Sequence, residues 1–247
     1  MEKNMTQEAV KKIALISPGG NSEAEYYGFE DRINNNVKIY MFANTLPDCS
    51  DEELLDTLVQ VGEPERVAAV AEKTRGLGID SVVWTCTAGS FLGGPEWSAK
   101  QLAAMSEASG CPASSTSRAF VHSLQNLNIK KVSILNIFDP EMGQKFADFI
   151  ASFGISVVNI LHADSLSDES EFESQIDWIT DSLVKADRAE AGAILFPCTA
   201  LPSLNAIEAA EAIINKPVLT GNQVSLWDAV RLSGIEAKAE NMGMLFK

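Results

Sequence analysis

Four cysteines, Cys49, Cys86, Cys111 and Cys198, are the residues whose chemistry stands out, and two of them share a setting. Cys86 lies in Trp84-Thr85-Cys86-Thr87-Ala88 and Cys198 in Phe196-Pro197-Cys198-Thr199-Ala200. Each thiol follows an apolar, strand-like run and precedes Thr-Ala. Two thiols across one carbon suit proton transfer or addition chemistry without a metal or an organic cofactor. The small residues after each cysteine leave backbone N–H groups free to form a concave anion site. Such donors are expected to lower a thiol pKa from its usual value of about 8.5 and to hold a substrate carboxylate. A solitary free cysteine is more simply a small buried hydrophobe. The matched context is what separates Cys86 and Cys198. Cys49, in Pro47-Asp48-Cys49-Ser50, and Cys111, before Pro112, lack it and read as structural. The spacings fit neither a disulfide scaffold nor a CxxC pair, so the chain reads as a reduced, cytoplasmic protein.

The elements that must place these thiols are strands alternating with helices. Lys12–Ile16, Val37–Phe42, Ser81–Trp84, Lys131–Leu135, Ile155–Ile160 and Gly192–Phe196 are short runs rich in branched residues. Between them lie helical patterns. Ser50 and Glu53 form a capping box before Leu54, Leu55 and Leu58. Pro64 precedes Val67 and Val70, Pro95 starts a helix to Ser109, and Ser117–Leu127 is helix-like. Met142, Phe146, Phe149 and Phe153 share a face, as do Phe172, Ile176, Ile179 and Leu183. The alternation predicts an α/β protein with parallel strands and helices on both faces. In open α/β sheets the ligand crevice lies at the carboxyl ends of the strands, which is where both cysteines fall.

The order of elements repeats. Lys11–Ile16 matches Lys130–Leu135 at an offset of 119, Trp84–Ala88 matches Phe196–Ala200 at 112, and Cys111–Ser115 is echoed by Lys216–Thr220 at 105. Three anchors in one order predict two pseudosymmetric Rossmann-like halves with the active site in the cleft between them. The expected division is 1–117 plus 220–247 for the first half and 118–219 for the second.

At this point the residues resemble a family. Pro18-Gly19-Gly20-Asn21, Cys86-Thr87-Ala88-Gly89-Ser90, Cys198-Thr199-Ala200 and Lys216–Gln223 followed by Trp227 look like the maleate isomerase and arylmalonate decarboxylase group of the aspartate/glutamate racemase superfamily. The resemblance runs from about Lys12 to Ile235 and implies a cofactor-independent enzyme with Cys86 and Cys198 as catalytic residues. It implies that Pro18, Asn21, Thr87, Ala88, Phe138, Thr199 and Ala200 form the substrate site, with Asn21 contacting a carboxylate. Cys198 matches the cysteine found throughout the group. Cys86 matches the partner found in isomerases and racemases and absent from the arylmalonate decarboxylases. Phe138 stands where the family usually has tyrosine, Ala88 where serine is frequent, and His162-Ala163-Asp164 where an asparagine is expected. These departures favour a substrate with one carboxylate and a less polar remainder over maleate itself.

Three functions follow. The first is a two-cysteine isomerase, either a cis–trans isomerase or a racemase, acting on a small carboxylic acid. The second is a decarboxylase using Cys198 alone as proton donor, and the third is a two-lobed carboxylate-binding protein without chemistry. The only histidines, His122 and His162, have no HxH or HExxH partner, so no metal site is expected. His122 reads as a packing or surface residue, and His162 follows a strand where ligands bind. Gly93-Gly94-Pro95-Glu96-Trp97 suits either a mobile cover or a plain turn before a helix. Pro18-Gly19-Gly20-Asn21 lacks the Gly-Lys-Ser/Thr of a P-loop. The 19 basic and 34 acidic residues among 247 give a net charge of −15. That balance excludes nucleic acid as a partner, and no apolar run is long enough for a membrane span. The acidic run from Asp164 to Glu173 reads as a solvated loop and helix start. Enzymes of this size and class are expected to form homo-oligomers.

Overall fold

The computed structural model describes residues 10–19, 23–33, 36–50, 53–164 and 172–247. Strands β1 (Lys11–Ser17), β2 (Val37–Ala43), β3 (Ser81–Trp84) and β4 (Ala113–Ser115) form a parallel sheet in the order β2-β1-β3-β4. Strands β5 (Lys131–Asn136), β6 (Ser156–His162), β7 (Ala193–Phe196) and β8 (Val218–Thr220) form a second in the equivalent order β6-β5-β7-β8, again all parallel. The repeat seen in the sequence is therefore a repeat of sheets. Together they make the expected α/β fold of two Rossmann-like halves.

Alternation along the strands distributes side chains to two faces. Ile13 and Leu15 of β1 join one buried cluster with Tyr26 and Phe29 of α1 (Glu23–Arg32). Ala14 and Ile16 join another with Val67 and Val70 of α3 (Pro64–Glu72) and Met105 of α5 (Gly94–Ser109). Between α1 and α3 lies α2 (Leu54–Val61), and α4 (Ala88–Phe91) is a single turn before α5. Helix α6 (Thr116–Asn126) packs beside β4 of the first sheet, and the second sheet carries α7 (Pro140–Ala151), α8 (Phe172–Ala186) and α9 (Leu204–Ile214). Aromatic edges join α6 to α7, with the Phe120 and Phe146 rings 5.4 Å apart.

The last helix, α10 (Gly221–Leu232), crosses back onto the first sheet. Ser81 Oγ donates to the Ala229 carbonyl at 2.7 Å, and Thr116 Oγ1 lies 2.8 Å from Ser225 Oγ. Asp228, fully buried, receives Ser114 Oγ at 2.5 Å, His122 Nδ1 at 2.9 Å and Arg231 at 2.7 Å. Burial alone would raise the Asp228 pKa, but the His122 hydrogen bond and charge, with Arg231 and Ser114, outweigh it and hold the carboxyl below its ordinary value. His122 is thus a packing residue with a specific partner.

Local chemistry differs from the sequence reading at two places. Glu53 accepts from the Ser50 amide and hydroxyl at 3.1 and 2.9 Å, which is half of a capping box, because the hydroxyl turns to the carboxylate. The complete box is Thr220 with Gln223 at the start of α10. Helix α1 was not expected at all. Of the two readings of Gly93–Trp97, the turn into a helix is the one found: Gly93 precedes the first turn of α5, and a Cβ on it would fall 2.3 Å from the Trp97 indole. Among the described residues no helix is long and apolar enough to cross a membrane. Of the acidic run, residues 165–171 lie outside the described residues.

Candidate active site

The strand order in each sheet reverses between its two central strands, and that is where an open α/β sheet leaves a crevice. In the first sheet these are β1 and β3, with Ile16 paired to Trp84, and in the second β5 and β7, with Ile134 paired to Leu195. The loops leaving all four strands converge on one cavity of about 230 Å³. Ser17, Pro18 and Gly19 come from β1, Thr85 to Ala88 from β3, Phe138 from β5, and Pro197, Thr199 and Ala200 from β7. Leu46, Leu54 and Leu58 add an apolar wall, and Glu23 and Tyr26 of α1 complete the lining. Leu46 is held there because its amide donates to the Pro18 carbonyl at 2.8 Å.

Cys86 and Cys198 each sit two residues beyond the end of their strand. They are 5% and 1% exposed, and close enough that charge on Cys198 raises the pKa of Cys86. The Gly89 amide donates to Cys86 Sγ at 3.3 Å. A Cβ on Gly89 would lie 3.0 Å from that sulfur and 3.2 Å from the Trp84 ring, so only glycine lets this amide approach. At the second thiol the Leu201 and Ala200 amides lie on Cys198. Gly221 packs against the backbone of this loop, since a Cβ on it would lie 2.6 Å from the Cys198 carbonyl oxygen.

The amides do not produce the lowered thiol pKa expected from the sequence. Burial pushes Cys86 up to about 12 and Cys198 up to about 11, despite the donors. Desolvation disfavours the thiolate more than one or two amide hydrogen bonds stabilise it. Both thiols are therefore neutral at pH 7, and Cys198 ionises first.

Among the expected site residues, Cys86, Pro18, Thr87, Ala88, Phe138, Thr199 and Ala200 line the cavity together. Cys198 lies behind the Pro197 and Thr199 wall, and Asn21 falls outside the described residues. The Thr87 carbonyl is held by Ser90 Oγ and Ser117 Oγ at 2.8 and 2.9 Å. Its hydroxyl is buried with no hydrogen-bond partner among the described residues. His162 lines a separate groove beside Phe138, its Nδ1 2.9 Å from Asn136 Nδ2. Among the described residues no group of three or more His, Cys, Asp and Glu could hold a metal ion.

The chain matches the family model described as arylmalonate decarboxylase over residues 58–246. It belongs to the arylmalonate decarboxylase family. Arylmalonate decarboxylase of Bordetella bronchiseptica is 28% identical over 185 residues, 74% of this chain and 77% of that protein. Maleate isomerase of Alcaligenes faecalis is 29% identical over 137 residues, 53% of each. A structure of Nocardia farcinica maleate cis-trans isomerase, a cysteine-to-serine variant with a covalently bound succinylcysteine intermediate, superposes with a TM-score of 0.79. It is 17% identical and covers 96% of this chain and 98% of its own.

Several residues of this family member escaped the sequence reading, chiefly those on α1. Ser17 Oγ donates to Glu23 Oε1 at 2.8 Å, and the Tyr26 hydroxyl donates to Asn222 Oδ1 at 2.8 Å. Glu25 accepts from the Ser203 and Leu204 amides at 2.8 and 2.7 Å and from Asn222 Nδ2 at 2.7 Å. Burial raises the Glu25 pKa, partly offset by the Leu204, Asn222 and Ser203 hydrogen bonds. Glu25 thereby clasps the loop after Cys198 to α1. Gln101 Nε2 bonds the Gly89 carbonyl at 2.8 Å and also the Gly62 carbonyl, tying the Cys86 loop to the end of α2. The Thr-x-x-Gln spacing at Thr220 was the signal that would have marked Asn222 as lying in the first turn of a helix.

Proposed function

We propose that the protein is a cofactor-independent two-thiol isomerase acting on a small carboxylic acid with a less polar remainder. The observation that carries this reading is a pair of strand-end thiols at equivalent places in two sheets, Cys86 lining the cavity and Cys198 between Pro197 and Thr199, which line it, close enough to Cys86 to raise its pKa. One cysteine, as thiolate, takes the proton from the carbon beside the carboxylate. The electron pair left behind spreads into the carboxylate as an enediolate. The opposing thiol then delivers its own proton to the other face and becomes the thiolate, so the site ends as the mirror image of its starting state. The Thr87 hydroxyl stabilises the growing charge on the carboxylate oxygens, and the Gly89, Ala200 and Leu201 amides stabilise whichever sulfur is the thiolate. The apolar wall of Leu46, Leu54, Leu58 and Phe138 takes the remainder of the substrate. Phe138 and Ala88 offer no hydroxyl for a second carboxylate, which weighs against maleate. Four free cysteines suit a reducing, cytoplasmic setting.

A second reading, decarboxylation of a malonate with neutral Cys198 protonating the enediolate, draws on the family match and on the raised thiol pKa values. Turnover of small carboxylates followed by NMR in D2O separates the two. Thiol-dependent deuterium entry at the α-carbon without loss of CO2, abolished by either Cys86→Ala or Cys198→Ala, is the expected result. Activity that survives Cys86→Ala and releases CO2 would replace this reading with the decarboxylase.

A further inference from the structure

Among the described residues Glu23 is the one acidic side chain lining the cavity, and no lysine, arginine or histidine lines it. The carboxylate is fixed in place: Ser17 Oγ donates to Glu23 Oε1 at 2.8 Å while accepting the Gly19 amide at 3.1 Å, which turns the hydroxyl proton towards Glu23. A cavity for a carboxylic acid that contains a carboxylate and no facing cation is poorly matched to any acid of net negative charge. A dicarboxylate would place two more negative charges beside Glu23. A zwitterion adds none.

We propose that the cavity takes an α-amino acid with an apolar side chain, its ammonium paired with Glu23 and its carboxylate at the Thr87 hydroxyl. This rests on the two-thiol reading and names its substrate class. Thr87 lines the cavity, and its Oγ1, buried with no partner among the described residues, is the donor assigned to a carboxylate oxygen. The wall of Leu46, Leu54, Leu58 and Phe138 suits a leucine-, methionine- or phenylalanine-sized side chain, and the cavity is too small for a peptide. The ammonium also assists the chemistry. It withdraws electrons from the α-carbon, so the C–H is more acidic than in a plain carboxylate, and a charge-assisted hydrogen bond to Glu23 keeps it protonated. The reaction is racemisation: the α C–H bond breaks to one sulfur, a new C–H bond forms from the other, and the net change is inversion with no redox step.

The test uses the intact protein in D2O with L-leucine, L-methionine and L-phenylalanine, beside 4-methylpentanoate, 3-phenylpropionate, maleate and phenylmalonate. The expected result is α-deuteration and racemisation of the amino acids much faster than any reaction of the deaminated acids or dicarboxylates. In Glu23→Gln, kcat/KM for the amino acid should fall about tenfold relative to that for the matched acid lacking the ammonium. That ratio is taken within one variant, so partial loss of folded protein does not alter it. Reaction of the deaminated acids or dicarboxylates at equal rates, or an unchanged ratio in Glu23→Gln, would overturn the amino-acid assignment and leave the two-thiol reading standing. No thiol-dependent reaction of any compound in the set would overturn both.

Discussion

The burial of the two thiols sets a pH dependence that can be worked out in advance. With Cys198 pushed up to about 11, the thiolate fraction at pH 7 is on the order of one in ten thousand, and it rises tenfold per pH unit. If turnover starts from that thiolate, kcat/KM, which reports the free enzyme, should climb about a hundredfold between pH 7 and pH 9 and level off only near 11. The same titration read directly, by iodoacetamide labelling resolved cysteine by cysteine in a mass spectrometer, should give the same slope at Cys198 and a later rise at Cys86. Folding responds with a defined sign. The folded pKa lies above the unfolded value of about 8.5, so the folded state keeps the proton longer. The stability contributed by the neutral thiol is fully present below about pH 8.5 and is lost as pH rises to 11, at most about 3 kcal/mol for Cys198. A kcat/KM plateau below pH 9, with Cys198 already labelling at its maximal rate there, would refute the argument that desolvation outweighs the amides. A profile flat from pH 7 to 9 that declines only near 11, with the labelling unchanged, would point instead to Cys198 acting as a neutral proton donor.

Other perturbations follow from the packing. Gly221→Ala should cost about 1–3 kcal/mol by urea titration, because its Cβ meets the Cys198 carbonyl oxygen at 2.6 Å, and kcat should fall further than stability explains. Glu25→Ala strands the Ser203 and Leu204 amides and the Asn222 side chain, and should destabilise by about 1–3 kcal/mol while speeding the alkylation of Cys198; unchanged stability and labelling would show the clasp to be idle. Asp228→Asn should flatten the acid limb of a stability–pH curve. The carboxyl sits below its ordinary pKa when folded, so its contribution is present above about pH 4 and is lost as pH falls through the folded value.

The strands and the thiols could be read in the sequence for the same reason: parallel strands covered on both faces become runs of branched residues, and the repeat marked which cysteines share a setting. What could not be read was set by contacts far apart in the chain. Helix α1 buries only Tyr26 and Phe29, too few apolar positions to show a helical period. Yet its Glu25 and Tyr26 both bond Asn222, 196 residues from Tyr26, and its Glu23 bonds Ser17. The thiol pKa values went astray likewise. Sequence shows the small residues that free the amides but not the depth of burial, and depth decides. The Gly93–Trp97 segment could be read either way until Trp97 was seen seated on Gly93.

Helix α10 has a consequence for how the chain comes into being on the ribosome. The first sheet is complete once Ser115 has been made, but the face formed by β3, β4 and α6 is closed by residues synthesised about a hundred positions later. Until Asp228 emerges, Ser114 and His122 have no carboxylate to bind, and the Ser81 hydroxyl has no Ala229 carbonyl. Nascent chains stalled before α10 should therefore be digested by protease throughout, their first sheet included, and become resistant as a unit once α10 has left the exit tunnel.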